Sequence, residues 1–268
     1  MENAFVPYKP KWSDLHRYST FIKYLKEYVA FGDFKSVNAS LQYVLANKLP
    51  QKEYITNSRM GKFWIRKGTN DFQYVNYTYE KHVKKYIRKQ IDSFDVFIDV
   101  GACIGEYCIW LSHFGKRCIA FEPVNFNAIE RNIQLNNKQH LITAFSFGLG
   151  AKKEKVYFNI LPDATGSSFL DRNEVEKEAN VQLECFDDWV DQLNIKSTDR
   201  VLMKVDTEGM EEEVFQGARN FIGRHKHLTI IYEQLKIRKS NPGQVLRSFS
   251  DFSISNIDEA NMLAVKIP

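Results

Sequence analysis

Apolar side chains recur every three or four positions from Trp12 to about Ala46, at Leu15, Tyr18, Ile22, Leu25 and Val29 and again at Leu41, Val44 and Leu45. That period predicts helix. Tyr54-Ile55 and Phe63-Trp64-Ile65, separated by the turn-rich stretch Asn57 to Gly61, predict a short hairpin. From about Tyr77 to Gln90 the pattern is again helical, with Val83 and Ile87 on one side and lysines opposite.

The texture changes at Asp95. Val96–Val100 is a short apolar run closed by Gly101, Ile104–Phe114 is helical, and Arg117–Phe121 is a second strand. A helix over Val124–Asn136 and a strand over Leu141–Ser146 follow. Residues 147–185 break the rhythm with Gly148, Gly150, Pro162 and Gly166, and carry one strand at Lys155–Ile160. Strand Arg200–Val205, helix Met210–Ala218 and strand Leu228–Tyr232 restore it, before a helix at Pro242–Phe249 and strands at Phe252–Ser255 and Met262–Ile267. Alternating strands and helices imply an α/β fold, a mostly parallel sheet covered on both faces. The chain thus divides into a mainly helical N-terminal cap, residues 1–94, and an α/β domain, residues 95–268. Ligands of such sheets bind beyond the carboxyl ends of the strands, here just after Val100, Phe121, Ser146, Val205 and Tyr232.

Composition narrows the class. With 268 residues, 44% hydrophobic and 26% charged, the chain can bury a core without disulfides. Cys103, Cys108, Cys118 and Cys185 make no C-x-x-C pair and no zinc spacing with histidine, which fits a reducing, cytoplasmic setting. The start, with Pro7 and Pro10, does not read as a signal peptide, and no uncharged apolar run is long enough to cross a bilayer. Peripheral membrane contact stays open. The net charge of +4 is uneven: residues 1–94 carry 17 lysines and arginines against 8 acidic residues, the remainder 20 against 25. A basic, tyrosine-rich appendage suits an anionic lipid, an acidic glycan or nucleic acid, or is simply a solvated surface. No nucleic-acid motif accompanies it, so no nucleic-acid partner is expected. Residues 1–94 are expected to shape acceptor binding or subunit contacts, a homo-oligomer included, and to add little to the cofactor pocket.

Three segments carry candidate chemistry. Asp99-Val100-Gly101-Ala102-Cys103-Ile104-Gly105 closes a strand and opens a helix, where free N–H groups can receive a carboxylate. It lacks the dinucleotide G-x-G-x-x-G spacing, which disfavours a nicotinamide oxidoreductase. Glu122 directly follows the second strand, where an acidic residue can accept the hydroxyls of a ribose. Lys204-Val205-Asp206-Thr207-Glu208-Gly209 places two carboxylates at a strand end, with Glu233 just past a further strand. Such groups can take a proton from a hydroxyl or hold a divalent ion. Equally, Glu208 could cap the helix and Asp206 order the loop. Glu211, Glu212 and Glu213 read as a solvated first turn favoured by the helix dipole. None of the six histidines is expected to act as the base.

Asp99-Val100-Gly101-Ala102, Glu122-Pro123 and Lys204 to Gly209 together resemble the FkbM family of S-adenosylmethionine-dependent methyltransferases. Ile104 to Tyr107, Asn132 with Asn136, Gly166-Ser167-Ser168 and Gly217-Ala218 support the resemblance, which runs from about Asp95 to Tyr232. It implies a Rossmann-like class I methyltransferase fold with a mostly parallel seven-stranded sheet, and S-adenosylmethionine held by Asp99, Gly101, Ala102, Gly105, Glu122 and Pro123. Cys103 departs from the asparagine or glycine expected there. Family members are generally O-methyltransferases. The expected acceptor is a sugar hydroxyl in a glycan or glycolipid precursor, or else a polyketide-like small molecule. A non-catalytic binding module is the reading from another class. Asp206, Glu208 and Glu233 are the expected catalytic residues, or alternatively ligands of a divalent metal, and Ser167 and Ser168 belong to a lid or acceptor-binding loop.

Overall fold

The computed structural model describes residues 15–161, 166, 168–170, 177–234 and 240–267. The first helical stretch is two helices, α1 (Leu15–Ala30) and α2 (Phe34–Ala46), because Gly32 turns the chain with a φ of +67°. Strands β1 (Tyr54–Ser58) and β2 (Gly61–Ile65) form the expected antiparallel hairpin. The short α3 (Asp71–Tyr74) and α4 (Lys81–Lys89) lead into β3 (Val96–Val100). Then come α5 (Glu106–Ser112), β4 (Arg117–Phe121), α6 (Phe126–Leu135) and β5 (Ile142–Phe145).

The stretch read as mostly loop is instead organised into strands. β6 (Gly148–Leu149), β7 (Glu154–Val156) and β10 (Val181–Glu184) make a small sheet in the order β6-β10-β7, and β8 (Phe158–Asn159) pairs with β9 (Phe169–Leu170). These strands are two to four residues long, too short to show a hydrophobic period. Then β11 (Val201–Val205), α7 (Glu211–Gly217), α8 (Arg219–Arg224), β12 (Leu228–Glu233), α9 (Pro242–Phe249), β13 (Phe252–Asn256) and β14 (Asn261–Lys266) complete the fold.

The main sheet has seven strands in the order β13-β14-β12-β11-β3-β4-β5. All pairings from β12 to β5 are parallel, whereas β14 runs antiparallel to both of its neighbours. This is the Rossmann-like α/β fold read from the sequence. The order reverses between β3 and β11, and ligands of such sheets bind in the crevice beyond the carboxyl ends of the strands at this switch point.

Every residue of β3 is buried, and alternate side chains enter different cores. Val96, Ile98 and Val100 join Met203, Val205 and Ile230 on one face. Phe97 faces the other side, where Tyr107, Trp110 and Ile129 share a single core with Tyr28, Phe63, Phe72 and Val83 of the N-terminal segment. Two asparagines fix that docking. Asn132 accepts the Trp64 N–H at 2.8 Å and Asn136 accepts the Lys62 N–H at 2.9 Å, so α6 satisfies the free edge of β2.

Candidate active site

The strand ends at the crevice are interlocked. Gly101 has a φ of +81°, and a Cβ there would lie 1.9 Å from the carbonyl oxygen of Asp206. Only glycine lets the turns after β3 and β11 touch. The Gly101 N–H donates to the Phe121 carbonyl and the Asp206 N–H to that of Val100, which stitches β4, β3 and β11 together.

Above this floor lies a cleft. Gly101, Glu122 and Pro123 line it on one side, Asp206, Thr207 and Glu208 on the other, and Phe158, Leu183 and Met210 supply apolar wall. Glu122 is buried, and its carboxylate accepts N–H groups from Val124 (2.8 Å), Asn125 (2.9 Å) and Cys103 (2.9 Å). Burial raises its pKa, against the pull of those N–H groups and of Arg66. Cys103 presents its N–H from a left-handed conformation, φ +49°, a region that favours asparagine and glycine among L-residue positions. That geometry explains why the sequence pattern leads one to expect those residues there.

Not every expected cofactor residue reaches the cleft. Asp99 points to the opposite face of β3, where it is buried and takes the Cys108 thiol at 3.7 Å. Burial pushes its carboxyl up to about 7, with Asp206 and Glu80 reinforcing and Lys204 opposing. Ala102 and Gly105 lie in the turn beneath; Gly105 lets that turn approach Ile129, which a Cβ would meet at 3.2 Å.

Asp206 is ion-paired with Lys204 at 2.7 Å. Burial works against the Lys204 ammonium, but Asp206, Glu80 and Asp99 outweigh it and hold its pKa well above the usual value. Glu80, from the N-terminal segment, stands 3.9 Å from the same nitrogen and accepts the Tyr107 hydroxyl at 3.0 Å. Glu208 takes a left-handed φ of +54°. Glu211, expected in a solvated turn, is buried and accepts the N–H groups of Thr207 and Gly209, both at 3.1 Å. These two N–H groups of the turn need an acceptor, and the first carboxylate of the following helix is within reach.

Glu233 closes β12 opposite Asn261, one step beyond the pair Val205 and Tyr232, and does not line the cleft. Among the described residues, no three histidine, cysteine or acidic side chains are grouped to hold a metal ion. The alternative ligand set of Asp206, Glu208 and Glu233 is therefore not assembled here. Ser168 lines the cleft, and its buried hydroxyl has no hydrogen-bond partner among the described residues. Ser167 lies outside the described residues.

No residue of the N-terminal segment lines the cleft, yet three stand directly behind it. Arg66, in a bidentate pair with Asp71, donates to Asn125 at 2.8 Å, and Asn125 in turn supports Glu122. The Tyr74 hydroxyl accepts the Gly166 N–H at 3.1 Å, and Glu80 reaches Lys204. Sequence reasoning missed all three, because each acts across more than fifty residues of chain and no local pattern marks it.

Residues 99–254 match the family model described as the methyltransferase FkbM domain. The structure is similar to that of methyltransferase FkbM from Methylobacillus flagellatus KT, with a TM-score of 0.46 and 19% identity over 64% of this chain and 44% of that one. The chain therefore spans less than half the length of that protein. Similarity extends to a putative O-methyltransferase from Klebsiella pneumoniae (TM-score 0.38, 10% identity, 70% of this chain and 80% of that one). It also extends to the tRNA (uracil-54, C5)-methyltransferase of Pyrococcus abyssi, solved in complex with S-adenosyl-L-homocysteine (TM-score 0.38, 13% identity, 81% of this chain and 44% of that one). No curated protein matches the chain.

Proposed function

The chain belongs to the FkbM methyltransferase family, and from that premise we propose that it is an S-adenosylmethionine-dependent O-methyltransferase of a sugar hydroxyl in a glycan or glycolipid precursor. The observation that carries this reading is a buried carboxylate, Glu122, beside a glycine turn, at the crevice where the strand order reverses. The residues present fit the donor. Glu122 retains one lone pair, on Oε2, for a ribose hydroxyl after its backbone partners are served, Gly101 permits close approach, and Phe158, Leu183 and Met210 provide an apolar wall. S-Adenosylmethionine, when bound, supplies a methyl group already activated by positive charge.

What the protein must add is alignment of the acceptor, exclusion of water and a home for the hydroxyl proton. Asp206 is the group we assign to the proton, because it lines the cleft while Lys204 anchors its carboxylate from the protein side. Ser168 offers a hydroxyl to donor or acceptor. Residues 1–94 are proposed to act on the acceptor side, through Glu80 and Tyr74. A cytoplasmic setting is part of the proposal. Among the described residues no helix is long and apolar enough to cross a membrane.

Calorimetry with S-adenosylhomocysteine tests the donor half. Glu122→Ala removes a charge-assisted bond to ribose worth about 1.5–3 kcal/mol, and affinity should fall at least about tenfold. Unchanged affinity in a folded variant would place the donor elsewhere. For the acceptor half, a panel of nucleotide sugars and lipid-linked glycans is incubated with donor and read by mass. A gain of one methyl is expected on a hydroxyl, whereas methylation of polyketide-like acceptors alone would move the substrate class.

A further inference from the structure

The helical hairpin of α1 and α2 buries one side and leaves its turn uncovered. On the inner side Tyr28 donates its hydroxyl to the Phe72 carbonyl at 2.7 Å, and Ala39 and Val44 are buried. At the turn, Val29 is 55% exposed, Phe31 42% and Phe34 69%. A Cβ on Gly32 would meet nothing within 4 Å, so the turn faces open space. Three large apolar side chains within six residues form a patch rather than the scatter normal on protein surfaces.

The charges around the patch are sorted by sign. Asp33 is buried and folded inward, where it accepts the Ser36 N–H at 3.0 Å and caps α2. Glu27 is paired with Arg59 at 2.9 Å. Lys23, Lys26 and Lys35 remain exposed, and no acidic residue occurs from Phe34 to Lys52. Arg59 adds its guanidinium 5.1 Å from the centre of the Phe31 ring. Apolar side chains at a turn, ringed by cations with the anions withdrawn, match the chemistry of an anionic bilayer surface.

We propose that this turn is a docking surface for an anionic lipid bilayer. Val29, Phe31 and Phe34 enter the boundary between headgroups and acyl chains, while Lys23, Lys26 and Lys35 meet the phosphates. A self-associated dimer fits less well, since a two-fold contact would set each lysine cluster against its own copy. The hairpin is tied to the cleft: the Asn76 amide donates to the Tyr24 carbonyl at 3.1 Å, and Glu80, four residues on, reaches Lys204 beside Asp206. Docking would therefore hold the acceptor side of the cleft near lipid, but the docking itself does not depend on methyl transfer.

The test is sedimentation of the full chain with vesicles of phosphatidylcholine, with and without phosphatidylserine. The protein should pellet with the anionic vesicles, release as salt is raised, and stay in solution with phosphatidylcholine alone. The double variant F31S/F34S should bind at least about tenfold more weakly, because two buried aromatic side chains are lost. Its melting temperature and its affinity for S-adenosylhomocysteine should match the wild type. As a second measurement, Phe34→Trp should gain fluorescence quenching by brominated lipid. Failure of the wild type to bind anionic vesicles overturns the proposal, as does undiminished binding by the double variant. So does a wild-type dimer that the double variant dissolves, which would make the patch a contact between copies.

Discussion

Two glycines with nearly equal backbone strain allow the interlock of the strand ends to be weighed. Gly101 has a φ of +81° and Gly115 a φ of +73°, but a Cβ at Gly115 would meet nothing within 4 Å. Gly115→Ala therefore costs only the left-handed penalty of about 1–2 kcal/mol. About 0.4–1 kcal/mol of that is returned by the stiffer unfolded chain. At about 2–4 °C per kcal/mol for a chain of this size, its melting temperature should fall by at most about 6 °C. Gly101→Ala carries the same strain and a collision besides. The 1.9 Å gap to the Asp206 carbonyl would have to open to at least 3.0 Å, which pulls the Asp206 N–H from Val100. With a buried hydrogen bond lost at about 1–3 kcal/mol besides the same net strain, the total is about 1–5 kcal/mol, or roughly 2–20 °C. Paired thermal melts of the two variants, followed by S-adenosylhomocysteine titration of whatever remains folded, make the measurement. If the two melt within a degree or two of each other and Gly101→Ala binds as the wild type does, the contact between the turns is not what shapes the cleft.

Lys204→Met removes the cation that faces Asp206 and Asp99 and leaves Glu80 with Lys84 alone, and should cost about 3–5 kcal/mol in a chemical denaturation series; a variant as stable as the wild type would show that the cluster relaxes into solvent. Asp99 titrates at about 7 in the fold against an ordinary carboxylate value when unfolded, so its contribution is fully present at acid pH and lost as pH rises through about 7. Stability should therefore decline over that window, and Asp99→Asn should flatten the decline when melts are repeated across pH. Removal of residues 1–92 would bare Phe97, Tyr107 and Trp110, so a chain starting at Ser93 should show molten circular dichroism signatures; a sharp cooperative melt would prove the remainder an independent unit.

Much of the α/β half was legible, because its strands are buried on both faces and read as mainly apolar runs, each with one charged residue, followed by Gly101, Glu122 and Asp206. The donor side of the cleft was legible for the same reason: its residues sit within a step or two of a strand end. The small strands of residues 148–184 were not, since pairs such as Phe158-Asn159 with Phe169-Leu170 are defined by a partner rather than by a period. Glu211 was misread because an acidic triplet at a helix start looks solvated, and only the turn geometry shows that Thr207 and Gly209 need an acceptor. Asp99 was placed in the cleft by the family resemblance. The two-residue period of β3 sends it to the other face with Phe97.

That other face is where the N-terminal segment and the family-matched region become one system. Lys204 is buried and must be neutralised, and its compensation comes from two directions: Asp206 on the cleft side, and Glu80 from outside residues 99–254. Glu80 holds a left-handed φ of +47° while also receiving the Tyr107 hydroxyl, a strained position that the surrounding contacts maintain. A charge at position 80 thus acts on the Asp206 carboxylate that lines the cleft, through one shared ammonium. Glu80, Arg66 and Tyr74 bind the inner side of the N-terminal segment to the residues that frame the cleft.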